Sequence, residues 1–222
     1  MKKTERLDEA VAPDGTILTL YRHDGAYSIR VGGVELMSTR RHHSEEKLAE
    51  LVCVPLRHRT ATRVLIGGLG LGFTLKAALR SLGADARIVV AEIVEKVIEW
   101  NRNPEYRFAG DALNDRRVEL QYEDVADILK SGKEAFDAIM LDVDNGAEAL
   151  TTGSNARLYR DVGIQMAVAA LRPGGRLAYW SAQADPVFED SLRRAGLTVE
   201  VIKARAHATS GGFSSLIVAT VD

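Results

Sequence analysis

Three glycines at alternate positions, Gly68, Gly70 and Gly72, lie in the run Gly67-Gly68-Leu69-Gly70-Leu71-Gly72. The run sits between a short apolar stretch, Arg63-Val64-Leu65-Ile66, and a helical pattern that begins at Phe73. Glycines there allow a sharp turn and a close approach to a ligand, and the following helix supplies unpaired N–H groups. The spacing is not that of a dinucleotide site. Counted from Gly68, the last glycine of G-x-G-x-x-G falls on Phe73, and from Gly70 on Leu75. No Gly-Lys-Ser/Thr follows, which excludes a P-loop. Acidic residues then recur at the ends of apolar runs. Glu92, about twenty residues past Gly72, is placed to accept both hydroxyls of a ribose. Asp124, in Glu123-Asp124, could meet an adenine amino group or equally cap the helix that follows. Asp142 opens Asp142-Val143-Asp144-Asn145-Gly146, where two carboxylates and an amide cluster at a strand end. Ligands bind beside such ends in open sheets.

The elements that must position these residues fall into two regimes. Residues 1–55 read as a β-rich segment with a short helix. Strands are expected at 16–21, 27–31 and 34–37, with Asp24-Gly25 and Gly32-Gly33 as hairpin turns. A helix capped by Ser44 follows, with Glu45 and Glu46 at its positive end and Pro55 as its stop. From residue 56 to 222 the chain alternates strand and helix. Strands are expected at 63–66, 87–91, 118–121, 136–141 and 176–181. A long helix is expected over 158–171, closed by Arg172-Pro173-Gly174-Gly175, and Asp185-Pro186 opens another. The chain ends on two strands without a helix between them. This is an α/β, doubly wound Rossmann-like sheet, mostly parallel, with an antiparallel C-terminal edge and a small N-terminal β-appendage.

Composition removes several classes of function. The 222 residues carry a formal charge of −2, 46% hydrophobic and 27% charged residues, which suits an ordered domain. Residues 1–60 hold ten Lys/Arg against nine Asp/Glu, so no basic face invites nucleic acid or an anionic membrane. No apolar run approaches the ~18 residues of a membrane span, and residues 1–6 lack a hydrophobic leader core. The single Cys53 excludes an intrachain disulfide and fits a reducing, cytoplasmic setting. It lies on an apolar helix face and reads as core. No metal site is expected: His42 and His43 are adjacent, and no third ligand is identifiable.

The alternate-glycine loop resembles that of class I S-adenosylmethionine (AdoMet) transferases. In order, the approach to Gly67-Gly68, the acids Glu92 and Asp124, Phe136-Asp137-Ala138-Ile139-Met140-Leu141-Asp142, Leu158-Tyr159 and Leu171-Arg172-Pro173-Gly174-Gly175 resemble the spermidine/spermine synthase branch of those transferases. The resemblance covers most of the chain. It implies a nucleoside sulfonium donor bedded on Gly67, Gly68, Gly70 and Gly72, with Glu92 on the ribose and Asp124 at the adenine. It also implies that Asp142 orients the acceptor or takes its proton, that Asp144, Asn145 and Tyr159 line the acceptor side, and that the chain forms a homodimer. The loop at 146–157 is polar and placed to close over the site.

Departures from the family bear on which group is transferred. The family's loop reads G-G-G-D-G-G, and its aspartate helps hold the ammonium of decarboxylated AdoMet; Gly70 stands there in this chain. Its D-S-S-D-P appears as Asp142-Val143-Asp144-Asn145-Gly146, and its Tyr, then His or Gln, then Glu, as Ser44-Glu45-Glu46. A loop without the anion favours the zwitterionic tail of AdoMet, whose carboxylate suits backbone N–H groups. The expectation is therefore methyl transfer from AdoMet to a small acceptor, an amine among the candidates. The alternative is aminopropyl transfer from decarboxylated AdoMet, with Asp144 and Glu45 or Glu46 supplying the missing anions. A second alternative is a non-catalytic binding or dimerisation module.

Overall fold

A computed structural model describes residues 3–143, 155–207 and 210–221. Two sheets are present. The larger has seven strands in the order β10-β11-β9-β8-β5-β6-β7. Its parallel part comprises β5 (Arg63–Gly67), β6 (Arg87–Ala91), β7 (Val118–Gln121), β8 (Phe136–Leu141) and β9 (Leu171–Ser181). The chain first builds outward from β5 through β6 to β7, then crosses to β8 on the other side of β5. The loops after β5 and β8 therefore diverge, and a crevice opens between Gly67 and Asp142. β10 (Leu197–Arg205) and β11 (Phe213–Val221) form a hairpin whose β11 pairs antiparallel with β9, as the helix-free ending implies.

Every residue of β8 is buried, which explains its apolar character; Asp137 is the polar exception, and Arg172 pairs with it at 2.8 Å. Alternate side chains enter opposite layers. Val64, Ile66 and Met140 pack with α1 (His43–Cys53) and α2 (Phe73–Ser81), while Leu65, Ile139 and Leu141 pack with α5 (Val125–Ser131) and α6 (Asp161–Ala170). Asp124 caps α5 by accepting the Ala126 N–H, and Asp185 caps α7 (Pro186–Arg194) by accepting that of Phe188. α3 (Glu95–Arg102) and the short α4 (Gly110–Leu113) follow β6.

The N-terminal sheet is an antiparallel meander of β1 (Glu5–Val11), β2 (Ile17–His23), β3 (Ala26–Val31) and β4 (Val34–Ser38). Its inner residues Ala10, Leu18, Leu20 and Ile29 pack on Leu71 of the glycine run and on Val97 and Trp100 of α3. The Trp100 indole N–H donates to Asp8 across that contact at 2.9 Å. The sheet is thereby a roof over the crevice.

Four local expectations are corrected. The meander has four strands, because β1 is a largely exposed edge whose charged residues hide its alternation. His42, not Ser44, precedes the first turn of α1, and the Ser44 hydroxyl donates to Glu45. The long helix at 158–171 is instead a 3-10 turn, Asn155–Tyr159, followed by α6. Gly163 permits this, since a Cβ there would lie 2.5 Å from the Leu158 Cα. Finally, Arg172-Pro173-Gly174-Gly175 lies within β9 as an irregularity in its pairing with β8.

Candidate active site

The crevice at the switch point holds two adjoining cavities. The first, of about 670 Å³, runs from Gly68 and Gly70 past Glu92 to Asp124 under Leu18 and Ile29 of the roof. The second, of about 550 Å³, is bounded by Leu69, Gly70, Thr74, Glu45, Asp142 and Trp180. Met37, Gly70 and Asp142 border both, so one elongated ligand can occupy the two in sequence. A third cavity of about 680 Å³ shares Met37, Glu45 and Trp180 with the second and opens toward Arg41 and Phe213.

The glycine loop is shaped as much by the protein as by any ligand. Gly68, Gly70 and Gly72 all have positive φ, at 87°, 52° and 77°. A Cβ on Gly68 would lie 2.7 Å from the Asp142 carbonyl oxygen, and one on Gly72 would lie 2.2 Å from Ala109 Cβ. On Gly70 it would lie 3.0 Å from Met37 Sδ. Gly67 faces Leu141 in the same close way. Asn101, buried on α3, ties the loop down: its amide donates to the Gly70 carbonyl at 2.8 Å, and its oxygen accepts the Ala109 N–H at 3.1 Å. Asn101 was not among the expected site residues, since a lone asparagine in a helix carries no spacing signal.

Glu92 directly follows β6 and is buried, with its carboxylate turned onto the loop. It accepts the N–H of Leu69 at 3.0 Å and of Val94 at 2.9 Å. Burial raises its pKa, against the lowering effect of backbone donors from Val94, Leu69, Gly70 and Ile93. The Gly68 N–H goes to the Ala91 carbonyl, and that of Gly72 to the Leu69 carbonyl. The loop donors expected to be open to a carboxylate-bearing ligand are thus largely taken.

Asp124 borders the first cavity, but both its oxygens are engaged, one by the Ala126 N–H and the other by Arg157 at 2.6 Å. Its capping role is the one the structure displays. Asp142 follows β8, and its carboxylate accepts the Thr74 hydroxyl at 3.1 Å. Desolvation pushes its pKa up to about 6, partly offset by that hydrogen bond. Opposite stands Glu45, half-buried on α1, whose pKa is pushed up to about 7 by desolvation and then by the Asp142 charge. Glu46 points elsewhere, to Arg80 at 3.0 Å and His42 at 3.4 Å. The His42 ring stacks on Phe73 at 4.1 Å.

Tyr159 is a correction. It is buried in an aromatic cluster with Tyr179 and Phe188, at 5.4 and 5.2 Å, beneath the opposite layer of the sheet, and borders none of the three cavities. The 3-10 turn that replaces the first part of the expected helix directs it inward. Asp144, Asn145 and most of the 146–157 loop lie outside the described residues. Cys53 is buried, and desolvation pushes its thiol up to about 12, which suits a core residue. Among the described residues no group of three or more His, Cys, Asp or Glu is arranged to hold a metal ion, and no helix is long and apolar enough to cross a membrane.

No family model matches the chain. It is 37% identical over 127 residues to a polyamine aminopropyltransferase of Thermococcus onnurineus, a match covering 56% of this chain and 44% of that protein. A polyamine aminopropyltransferase of Saccharolobus solfataricus is 38% identical over 80 residues, covering 36% of this chain and 26% of the other. These matches span less than half the length of either relative. Among solved structures, a spermidine synthase in complex with the transition-state analogue AdoDATO superposes with TM-score 0.78 at 20% identity, covering 100% of this chain and 75% of that one. The spermidine synthase of Thermotoga maritima gives TM-score 0.74 at 19% identity and the same coverages. The chain shares the fold of these spermidine synthases and is similar over part of its length to polyamine aminopropyltransferases.

That finding corrects the expectation of methyl transfer from AdoMet. The proteins it is similar to in sequence are named for aminopropyl transfer. The absence of an aspartate at Gly70 does not by itself make the site suit a zwitterionic tail. The loop's N–H groups are occupied from within, and α1 brings a carboxylate, Glu45, into the same cavity.

Proposed function

We propose that this chain transfers an aminopropyl group from decarboxylated AdoMet to a small amine. The observation that carries the reading is the pairing of Asp142 with Glu45 in the second cavity, beside a relationship to polyamine aminopropyltransferases. Two carboxylates facing one cavity suit a cationic tail and repel one that ends in a carboxylate. In the transfer, the lone pair of the acceptor nitrogen forms the new N–C bond as the C–S bond breaks, the bonding pair leaves on sulfur, and the nitrogen releases a proton.

The chain's own residues supply binding, orientation and a proton acceptor. The first cavity takes the nucleoside, with Gly67, Gly68, Gly70 and Gly72 forming its bed. Glu92 keeps that bed in place and sits where ribose hydroxyls would arrive; Asp124 stands at the adenine end. Asp142, at the junction of the two cavities, orients the acceptor nitrogen and takes its proton, and its raised pKa places it in a useful range for that work. Asp144 and Asn145 remain candidates for the acceptor side by their position in the chain after Asp142.

The test is to incubate the protein with decarboxylated AdoMet and a series of di- and polyamines. Mass spectrometry would follow the nucleoside thioether and the amine enlarged by one aminopropyl unit. Both products should appear together, and neither should appear with AdoMet. Absence of both with every amine would overturn the reading.

A further inference from the structure

Among the described residues Glu45 has no cationic partner, although it is largely removed from water. It accepts hydrogen bonds from the Ser44 hydroxyl at 2.5 Å and from its own backbone N–H, and among the described residues no Lys, Arg or His pairs with it. Asp142 is in the same condition, with the Thr74 hydroxyl as its partner. Two anions facing one cavity without a counter-ion are costly, and a cation from outside the protein relieves that cost. Neighbouring Glu46 offers no such site, because Arg80 and His42 already occupy it.

The walls indicate which cation fits. The second cavity is bordered by Leu69, Gly70 and Leu71, the same loop that edges the nucleoside cavity, so the ligand's tail enters past Gly70. Leu36, Met37, Phe73 and Trp180 give that passage apolar sides suited to methylene groups. The loop has no side chain to offer at Gly70, where Met37 Sδ closes the space within 3.0 Å of any Cβ. A carboxylate then stands at the far wall, at Glu45.

We propose that Glu45, from α1, binds the primary ammonium of the donor's aminopropyl tail, and so determines that the site takes the decarboxylated donor rather than AdoMet. This rests on the aminopropyl-transfer reading. It relocates the donor-holding anion from the glycine loop to a helix and leaves Asp142 free for the acceptor.

The experiment is calorimetric titration of wild type and Glu45→Gln with three probes: decarboxylated AdoMet, AdoMet, and 5′-methylthioadenosine, which carries the nucleoside without the tail. Wild type should bind decarboxylated AdoMet most tightly. Glu45→Gln should weaken that ligand by about 10- to 100-fold, the scale of one charged hydrogen bond. Methylthioadenosine should be unaffected, and the preference over AdoMet should shrink by the same factor. Unchanged affinity of Glu45→Gln for decarboxylated AdoMet would overturn the assignment, as would equal loss of methylthioadenosine, which marks a structural effect. Wild type binding decarboxylated AdoMet no better than methylthioadenosine would also overturn it. Failure of the reaction itself reads out separately, as wild type that discriminates the donors but forms no aminopropylated amine.

Discussion

The Glu92 carboxylate accepts the Leu69 N–H at 3.0 Å, so the acid at the end of β6 holds the glycine loop as well as facing the cavity beneath it. Ligand and loop geometry are coupled through this one side chain. Glu92→Gln keeps the shape but turns an amide NH₂ toward backbone donors. It should destabilise the protein by about 1–3 kcal/mol and weaken 5′-methylthioadenosine at least ~10-fold. Urea denaturation and calorimetry measure the two effects, and unchanged nucleoside affinity would separate Glu92 from binding.

Asp142→Asn removes the proton acceptor while keeping the Thr74 contact available. Turnover should fall by about 10²- to 10⁴-fold, the range of general-base contributions, with affinity for methylthioadenosine retained. Steady-state kinetics on the folded variant decide the point. Full turnover would assign proton removal elsewhere.

Stability of the free protein should depend on pH through Glu45 and Asp142. Burial raises both folded-state values above their ordinary ones, to about 7 and about 6, so the folded state holds protons that the unfolded state has released. Their contribution is therefore full below about pH 4 and is lost as pH rises through 6 and 7. The groups that face Glu45 are Asp142 and Glu46, with Ser44 as its hydrogen-bond donor. Chemical denaturation should show a fall on the order of 6 kcal/mol over that window, and Glu45→Gln should remove roughly half of it, leaving the part that comes from Asp142. A wild-type profile no steeper than the variant's would contradict the contribution of Glu45.

Placing an aspartate in the glycine loop should not help this chain. At Gly70 a Cβ would meet Met37 Sδ at 3.0 Å on a backbone with φ of 52°. Gly70→Asp should cost about 1–3 kcal/mol from overpacking, with Met37→Ala recovering part of it in a double-mutant cycle. Additive losses in the thermal midpoint would show that Met37 is not the obstacle.

Local chemistry alone determined much of this protein. The αL-permissive glycines, the caps at Asp124 and Asp185, the buried run of β8 and the helix-free ending each act over a few residues, and each is found in the structure. The doubly wound sheet followed from their order. Tertiary structure decided which side chains share a cavity. Glu45 looked like a charge at a helix start, yet α1 packs on α2 and the sheet in a way that turns its carboxylate toward Asp142. Tyr159 looked like a neighbour of the site, and a 3-10 turn directs it into the core. Met37 gave no signal at all, because its role over Gly70 exists only once the roof sheet closes on the loop. Capping and turn preferences are written in adjacent residues. The balance of charge across a cleft depends on distant segments meeting, and packing of the two sheets and α1 sets that.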